Sequence, residues 1–197
     1  DFTIYNPADE MMSSSMQTFP NIAFVSVRNV PAIGVKFSDV AQVETGDDED
    51  LQYTRSGDTL VISTRGGADE EHIGYHLVYL PRNATLSVFN SSLYFKDDKA
   101  TAQNSPVIYL KKSRAFFSGT DSPFRMDHVK VVASDSSTAS FHDKTHVNHL
   151  EVQLSNSAIE YTDGDFGQLS ITTDSLSRIS LQSKHLLKAN IKTIAPE

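Results

Sequence analysis

Three aspartates in the second half of the sequence have the spacing of a metal site. Asp143 and Asp163 stand one repeat apart, and Asp165 follows closely. Carboxylates on neighbouring rungs of a repeat fold repel each other unless a proton or cation lies between them, and Ca²⁺ prefers such oxygen ligands. Aspartate at a bend also bonds its own backbone. The pattern is therefore typical of either a calcium site or a series of plain turns.

Three aromatic residues have the spacing of a binding surface. Tyr94 and Phe116 are 22 residues apart, and Tyr109 falls in a neighbouring series. Adjacent exposed aromatic rings form a platform for sugar rings or for a protein partner. The alternative is that the N-terminal segment covers these rings as a cap on the first rungs.

A repeat between residues 84 and 194 must position these side chains. Short apolar pairs recur at steps of 22, 21, 21 and 19 residues, and Ile191 opens a last copy after a further 22. The pairs are Leu86/Val88, Ile108/Leu110, Val129/Val131, Leu150/Val152 and Leu169/Ile171. A fixed period of about 20 residues indicates stacked structural repeats, none of which buries its apolar face alone.

Further apolar positions recur inside each copy. A second series, spaced 22, 24, 20 and 20, comprises Phe95, Phe117, Phe141, Tyr161 and Leu181, and a weaker third series comprises Phe124, Val147, Phe166 and Leu186. Three short sides per copy indicate a closed coil, a parallel β-helix of about five to six rungs. A β-sandwich also has regularly spaced short strands, but gives no reason for equivalent residues one period apart.

The outward residues of the first series predict which side chains meet on neighbouring rungs. They are Ser87, Tyr109, Lys130, Glu151, Ser170 and Lys192. Strands in register lie about 4.8 Å apart, so Lys130 and Glu151 are expected to form an ion pair across neighbouring rungs.

The first part of the sequence differs from the repeats. Residues 1–18 have no sustained period and predict a lead-in or tether. Residues 19–83 alternate as short strands with six of the nine glycines, and Gly57-Asp58 predicts a hairpin turn. We expect 19–83 to form an antiparallel β layer on the first rungs, in one structural unit with the β-helix of 84–197.

Composition excludes several functions. The net charge of −8 opposes nucleic-acid binding. The absence of cysteine excludes disulfides, thiolate metal sites and a cysteine nucleophile. No apolar run approaches the roughly 18–20 residues of a membrane span. The sequence begins at Asp1 rather than Met, which is compatible with a removed leader and equally with a trimmed chain.

Several segments resemble one bacterial family. Phe19-Pro20-Asn21-Ile22, Gln42-Val43-Glu44, Gly57 to Ser63, and Tyr75 to Pro81 followed by Leu86-Ser87-Val88 resemble the putative auto-transporter adhesin head-domain family of exported Bacteroidetes proteins. The resemblance covers roughly residues 19–195. It implies a right-handed β-helix behind a small β layer, exported to the periplasm, outer membrane or cell surface. This sequence has fewer glycines in its rungs than many relatives.

These observations favour a non-catalytic binding or adhesion module. Its expected partner is a host or environmental glycan or a surface protein, its expected contact residues are Tyr94, Tyr109 and Phe116, and calcium at Asp143, Asp163 and Asp165 is the only cofactor predicted. None of the common catalytic motifs is present. The alternatives are a small pectinase-like enzyme acting through Asp143 and Asp163, and a structural module that assembles as a homo-oligomer through the open ends of the β-helix.

Overall fold

The computed structural model describes residues 15–45, 50–66, 76–96, 104–119, 123–142, 144–161 and 163–194. These ranges form eighteen strands and one four-residue helix. The strands before the repeats are β1 (Ser15–Phe19), β2 (Phe24–Arg28), β3 (Ile33–Ser38), β4 (Ala41–Thr45), β5 (Leu51–Ser56), β6 (Thr59–Thr64) and β7 (His76–Pro81). The elements of the repeats are β8 (Thr85–Phe89), β9 (Ser92–Phe95), β10 (Val107–Lys111), β11 (Arg114–Phe117), β12 (Phe124–Ser134), β13 (Thr138–Phe141), β14 (Thr145–Ser155), β15 (Ala158–Tyr161), β16 (Gly164–Thr173), β17 (Arg178–Leu181), α1 (Ser183–Leu186) and β18 (Ala189–Thr193).

The strands form two nine-stranded sheets that enclose one core. Sheet A has the order β1-β4-β7-β3-β9-β11-β13-β15-β17, and sheet B has the order β18-β16-β14-β12-β10-β8-β2-β6-β5. From β8 to β17 the chain alternates between the sheets and pairs in parallel with the preceding turn. It completes four turns between β8 and β16, and β18 adds a further strand. The predicted all-β fold of stacked parallel strands is confirmed.

The N-terminal segment is more closely integrated into the solenoid than predicted. Strand β2 pairs in parallel with β6 and with β8 in sheet B, and β3 pairs in parallel with β7 and β9 in sheet A. The reason is that Val25 and Val27 alternate as Leu86 and Val88 do, and the two pairs lie in register. Among the described residues, antiparallel pairing is confined to β1, β4 and β7 in sheet A and to β5 and β6 in sheet B.

The structure defines the predicted hairpin and the end of the predicted lead-in in the N-terminal segment. The hairpin is confirmed, since β5 and β6 pair on either side of Gly57, whose φ of 62° belongs to the left-handed region that glycine tolerates. The predicted lead-in of residues 1–18 ends inside β1, which pairs with β4 at the edge of sheet A.

The second apolar series is confirmed as the central column of the core. Phe95, Phe117, Phe141, Tyr161 and Leu181 occupy equivalent positions on β9, β11, β13, β15 and β17. Phe117 stacks on Phe95 and on Phe141 at centroid distances of 4.5 Å, with interplanar angles of 8° and 3°. Each fully buried ring of this size contributes about 1.5–3 kcal/mol through burial.

The register of the first series differs from the prediction at two steps. Ile108 pairs with Val131 rather than Val129, and Ile191 pairs with Ile171 rather than Leu169. A shift of two residues keeps the same face of a strand inward, so apolar alternation alone does not distinguish the two registers. The outward residues of the first series therefore do not form one column, because Tyr109 pairs with Val132 rather than with Lys130.

A ladder of buried serines stabilises the corner between sheets B and A. The hydroxyls of Ser113, Ser137 and Ser157 each accept a hydrogen bond from the backbone N–H of the equivalent serine one turn earlier, at 3.1–3.2 Å. Each also donates to a carbonyl two or three residues earlier in its own strand end, at 2.6–2.9 Å. The residue before each serine has a positive φ, as at Lys112 (51°) and Asn156 (46°). The ladder therefore satisfies backbone groups that the sharp turn would leave unpaired.

The third series forms the beginning of the long strands β12, β14 and β16. Phe124, Val147 and Phe166 are fully buried, but Val147 pairs with Met126 rather than with Phe124, and Leu186 is 50% exposed. The buried residue of that turn is His185, whose ring lies 4.9 Å from Tyr161 and 4.6 Å from Phe166. Helix α1 thus closes this end of the core with an imidazole instead of a leucine.

The last strand is the most exposed part of the solenoid. Ile191 in β18 is 42% exposed, and Leu187 and Ile194 on either side of β18 are 92% and 51% exposed. Strand β18 pairs with β16 and with no other strand in the described part of the chain. The predicted assembly through solenoid ends stays a prediction. No helix among the described residues is long and apolar enough to cross a membrane.

Candidate binding surfaces

Two of the three predicted aromatic contact residues form a stacked pair on the outside of sheet A. Tyr94 in β9 and Phe116 in β11 are partners in the parallel register. Their ring centroids lie 4.9 Å apart with an interplanar angle of 10°, and both side chains are partly exposed. The ring of His142 continues the row at 6.3 Å from Phe116. We call Tyr94 and Phe116 the aromatic platform.

The alternation of the strands places the platform outside the core. Leu93, Phe95, Ala115 and Phe117 are buried, so the residues between them face outward. Parallel strands in register then bring the two outward rings to stacking distance. The geometry is thus a direct consequence of the sequence period.

The platform lies between two small residues in its column. Gly34 of β3 is the register partner of Tyr94, and Ser140 of β13 is the register partner of Phe116. Strand β3 lies beside β9 in the same sheet rather than on top of it, so this strand does not cover the platform. The sequence interpretation missed Gly34, because it placed residues 19–83 in a separate layer.

Tyr109 lies on the opposite sheet, apart from the platform. It is 44% exposed in β10 of sheet B, between Ser87 and Val132. There it lines a groove of about 640 Å³ together with Phe89, Arg28 and Lys111. The three predicted aromatic residues therefore belong to two separate surfaces.

The predicted ion pair between Lys130 and Glu151 is present on sheet B. Lys130 Nζ lies 2.8 Å from Glu151 Oε1, and the two residues are register partners. The hydrogen bond with Glu151 raises the pKa of Lys130, and the same bond lowers the pKa of Glu151. Both side chains are about one-third exposed, so the pair contributes to register more than to stability.

The two described carboxylates of the predicted calcium site are paired with lysines. Asp163 Oδ1 lies 3.9 Å from Lys184 Nζ, and Asp165 Oδ1 lies 3.4 Å from Lys188 Nζ. Desolvation raises the pKa of Asp165, but the hydrogen bond and charge of Lys188 outweigh it, so the pKa is lowered overall. Asp143 lies outside the described residues.

No group of three metal-ligating side chains occurs in the part of the chain that the structure describes. The lysines already supply the positive charge that two neighbouring carboxylates require. Calcium binding stays a prediction, and so does the catalytic pair of Asp143 and Asp163.

His185 is a buried polar group that the sequence interpretation missed. Its side chain is packed against Tyr161 and Phe166, and neither ring nitrogen has a hydrogen-bond partner among the described residues. Desolvation, assisted by Lys184 and Lys188, lowers the pKa of His185 against the opposing effect of Asp165 and Asp163. The only sequence signal for burial of His185 was its position, one residue before Leu186 of the third apolar series.

Comparison with known proteins gives distant likenesses only. No family model and no curated protein matches this sequence. The crystal structure of a putative adhesin from Parabacteroides distasonis is 14% identical over 93% of this chain and 94% of that chain, with a TM-score of 0.30. A putative cell adhesion protein from Clostridium sporogenes is 9% identical over 92% of this chain and 99% of that chain, with a TM-score of 0.27. At these TM-scores neither likeness supports an inference about function.

Proposed function

We propose that this protein is a non-catalytic binding or adhesion module that works outside the cell and recognises glycans through the aromatic platform. The observation that carries the proposal is the parallel, partly exposed stack of Tyr94 and Phe116, 4.9 Å apart on sheet A. The resemblance of residues 19–195 to an exported adhesin head domain supports the location. A protein ligand that packs on the same rings is the alternative occupant.

The physical basis of the proposal is the cost of leaving aromatic surface in water. Tyr and Phe bury large apolar areas when they gain a partner, and Tyr adds a hydroxyl that bonds at the rim of a contact. Contiguous exposed aromatic rings mark interaction surfaces. Gly34 and Ser140, which flank the rings in the column, are themselves buried, so the surface offered to a ligand is the two rings.

A glycan array of neutral oligosaccharides tests the proposal. The wild-type protein is expected to bind a subset of glycans, and the Tyr94→Ala/Phe116→Ala variant is expected to lose those signals. A Ser180→Ala variant is the control, because Ser180 is an exposed residue in the same outward column. Glycan binding that is equal in the double variant and the wild type would exclude the platform. Release of reducing sugars or unsaturated products from pectin would contradict the non-catalytic assignment.

A further inference from the structure

Four cationic residues gather at one corner of this acidic protein. Arg28, Lys111, Lys112 and Arg114 lie in or next to the turns that lead from sheet B to sheet A, and all four are exposed. The whole chain has 17 Lys and Arg against 25 Asp and Glu. A local cluster of positive charge against this net negative background indicates a surface with its own electrostatic preference.

The acidic residues of the described chain leave this cluster largely uncompensated. Asp135 lies 3.4 Å from Lys111, and both are about half exposed. Arg28 Nε donates to Ser26 Oγ at 3.0 Å. Within the described ranges no carboxylate forms an ion pair with Arg28, Lys112 or Arg114. Three cations therefore remain available to an external anion.

Two hollows meet at this corner. The groove of about 640 Å³ on sheet B has aromatic walls, Phe89 and Tyr109, which are 40% and 44% exposed. A smaller hollow of about 210 Å³ on the other side of the turn is lined by Lys112 and Arg114. Asn29 lines both hollows.

Two amide groups lie at this corner, since Asn29 lines both hollows and Asn90 lines the smaller one. Asn90 Nδ2 donates to Asn29 Oδ1 at 3.0 Å, and both side chains are exposed. Each amide retains unused donors or acceptors for a ligand hydroxyl. The corner thus combines aromatic faces, amides and cations within two neighbouring hollows.

We propose that this corner, formed by Arg28, Phe89, Tyr109, Lys112 and Arg114 with Asn29 and Asn90, binds an acidic polysaccharide built of uronic acid residues. The aromatic walls stack against the sugar rings, the guanidinium groups pair with the carboxylates, and the amides bond to hydroxyl groups. The corner shares no residue with the aromatic platform, so it is a second site that stands or falls independently of the proposed function.

The charge of the protein favours a uronate chain over nucleic acid as the ligand of this corner. A uronate chain carries one carboxylate per sugar and leaves apolar ring faces for Tyr109 and Phe89. DNA carries one charge per about 1.7 Å of duplex and requires many neutralising contacts. A net charge of −8 with one small cationic corner fits the less densely charged polymer.

Isothermal titration of the complete protein with tetragalacturonate tests the proposal. Binding is expected at 20 mM NaCl, weaker at 500 mM NaCl, and roughly tenfold weaker or more for the neutral methyl ester of the same oligosaccharide. Arg28→Gln, and separately Arg114→Gln in case the first variant is unstable, are each expected to weaken binding roughly tenfold. Lys192→Gln is the control, because Lys192 follows Tyr109 in the same column but lies four strands away.

Several results would overturn the proposal that the corner binds a uronate chain. Absence of tetragalacturonate binding, equal affinity for acid and methyl ester, or unchanged affinity in both arginine variants would each overturn the proposal. Tighter binding of a single-stranded DNA decamer than of tetragalacturonate would assign the corner to a different class of polyanion and would also overturn it. Loss of binding in Tyr94→Ala/Phe116→Ala but not in the arginine variants would place the glycan on the platform instead.

Discussion

Two aromatic columns run side by side in sheet A, one facing the core and one facing outward. Phe95 and Phe117 stack at 4.5 Å and 8° inside, and Tyr94 and Phe116 stack at 4.9 Å and 10° outside, on the same two strands. The inner rings are at most 1% exposed, whereas the outer rings are partly exposed. Register alone therefore produces the stacking, and burial separates a structural column from a candidate binding surface.

The two columns also differ in length. The inner column continues through Phe141 to Tyr161, whereas the outer column passes from Phe116 to Ser140 and then Glu160. A core has to be filled on every turn because voids are costly. The outer face has no such requirement, and the two partly exposed rings there form a candidate interaction surface.

The largest expected effect comes from opening the inner column. Phe117→Ala should lower the free energy of unfolding by about 3–5 kcal/mol, because the cavity lies between two stacked rings in the middle of the core. Urea unfolding followed by circular dichroism measures it. Phe116→Ala, one residue earlier, is the matched control and should cost less than about 1.5 kcal/mol, mainly through the loss of ring stacking. Equal losses in the two variants would contradict the distinction between the columns.

The serine ladder should show an intermediate effect. Ser137→Ala removes the acceptor of the buried Ser113 N–H, which should cost about 1–3 kcal/mol. Ser180→Ala, on the exposed outward face of β17, should change stability by less than about 0.5 kcal/mol. Thermal unfolding of both variants checks this. A neutral Ser137→Ala would mean that the turns hold the two sheets together without the ladder.

The smallest expected effect concerns His185, which packs against Tyr161 of the inner column. Its pKa is lowered in the folded state, mainly by burial, so the unfolded state binds more protons as the pH falls below about 6.5. Stability should therefore decrease from pH 7.5 to pH 5.5. His185→Leu should reduce this decrease, whereas His128→Gln, which removes an exposed histidine of sheet B, should not. Urea unfolding at the two pH values provides the measurement, and an unchanged decrease in His185→Leu would exclude His185 as its source.

The sequence predicted the column period correctly where large residues repeat. Phe95, Phe117, Phe141 and Tyr161 occupy the predicted equivalent positions because each ring stacks on the ring of the neighbouring turn. The first series was less informative. Positions 129 and 131 are both valine, so a shift by two residues left the apolar alternation unchanged.

Contacts between distant segments could not be predicted from periodicity. Residues 19–83 lack the step of the later repeats, which concealed the parallel pairing of β2 with β8. Because this step is missing, the sequence also did not show that Arg28 lies beside Phe89, and the groove around Tyr109 was therefore not predicted. The serine ladder also went unrecognised, because serine in a turn has many explanations that do not involve neighbouring turns.

The most direct test of the account combines stability and binding on the outer column. Melting temperature and binding to an array of neutral glycans are measured for the wild type and for Tyr94→Ala/Phe116→Ala. The predicted result is a folded variant, with a cooperative transition close to that of the wild type, that has lost the wild-type glycan signals. Retained binding of neutral glycans in the folded double variant, or a wild-type protein that binds no neutral glycan, would contradict the claim that the aromatic platform is a recognition surface.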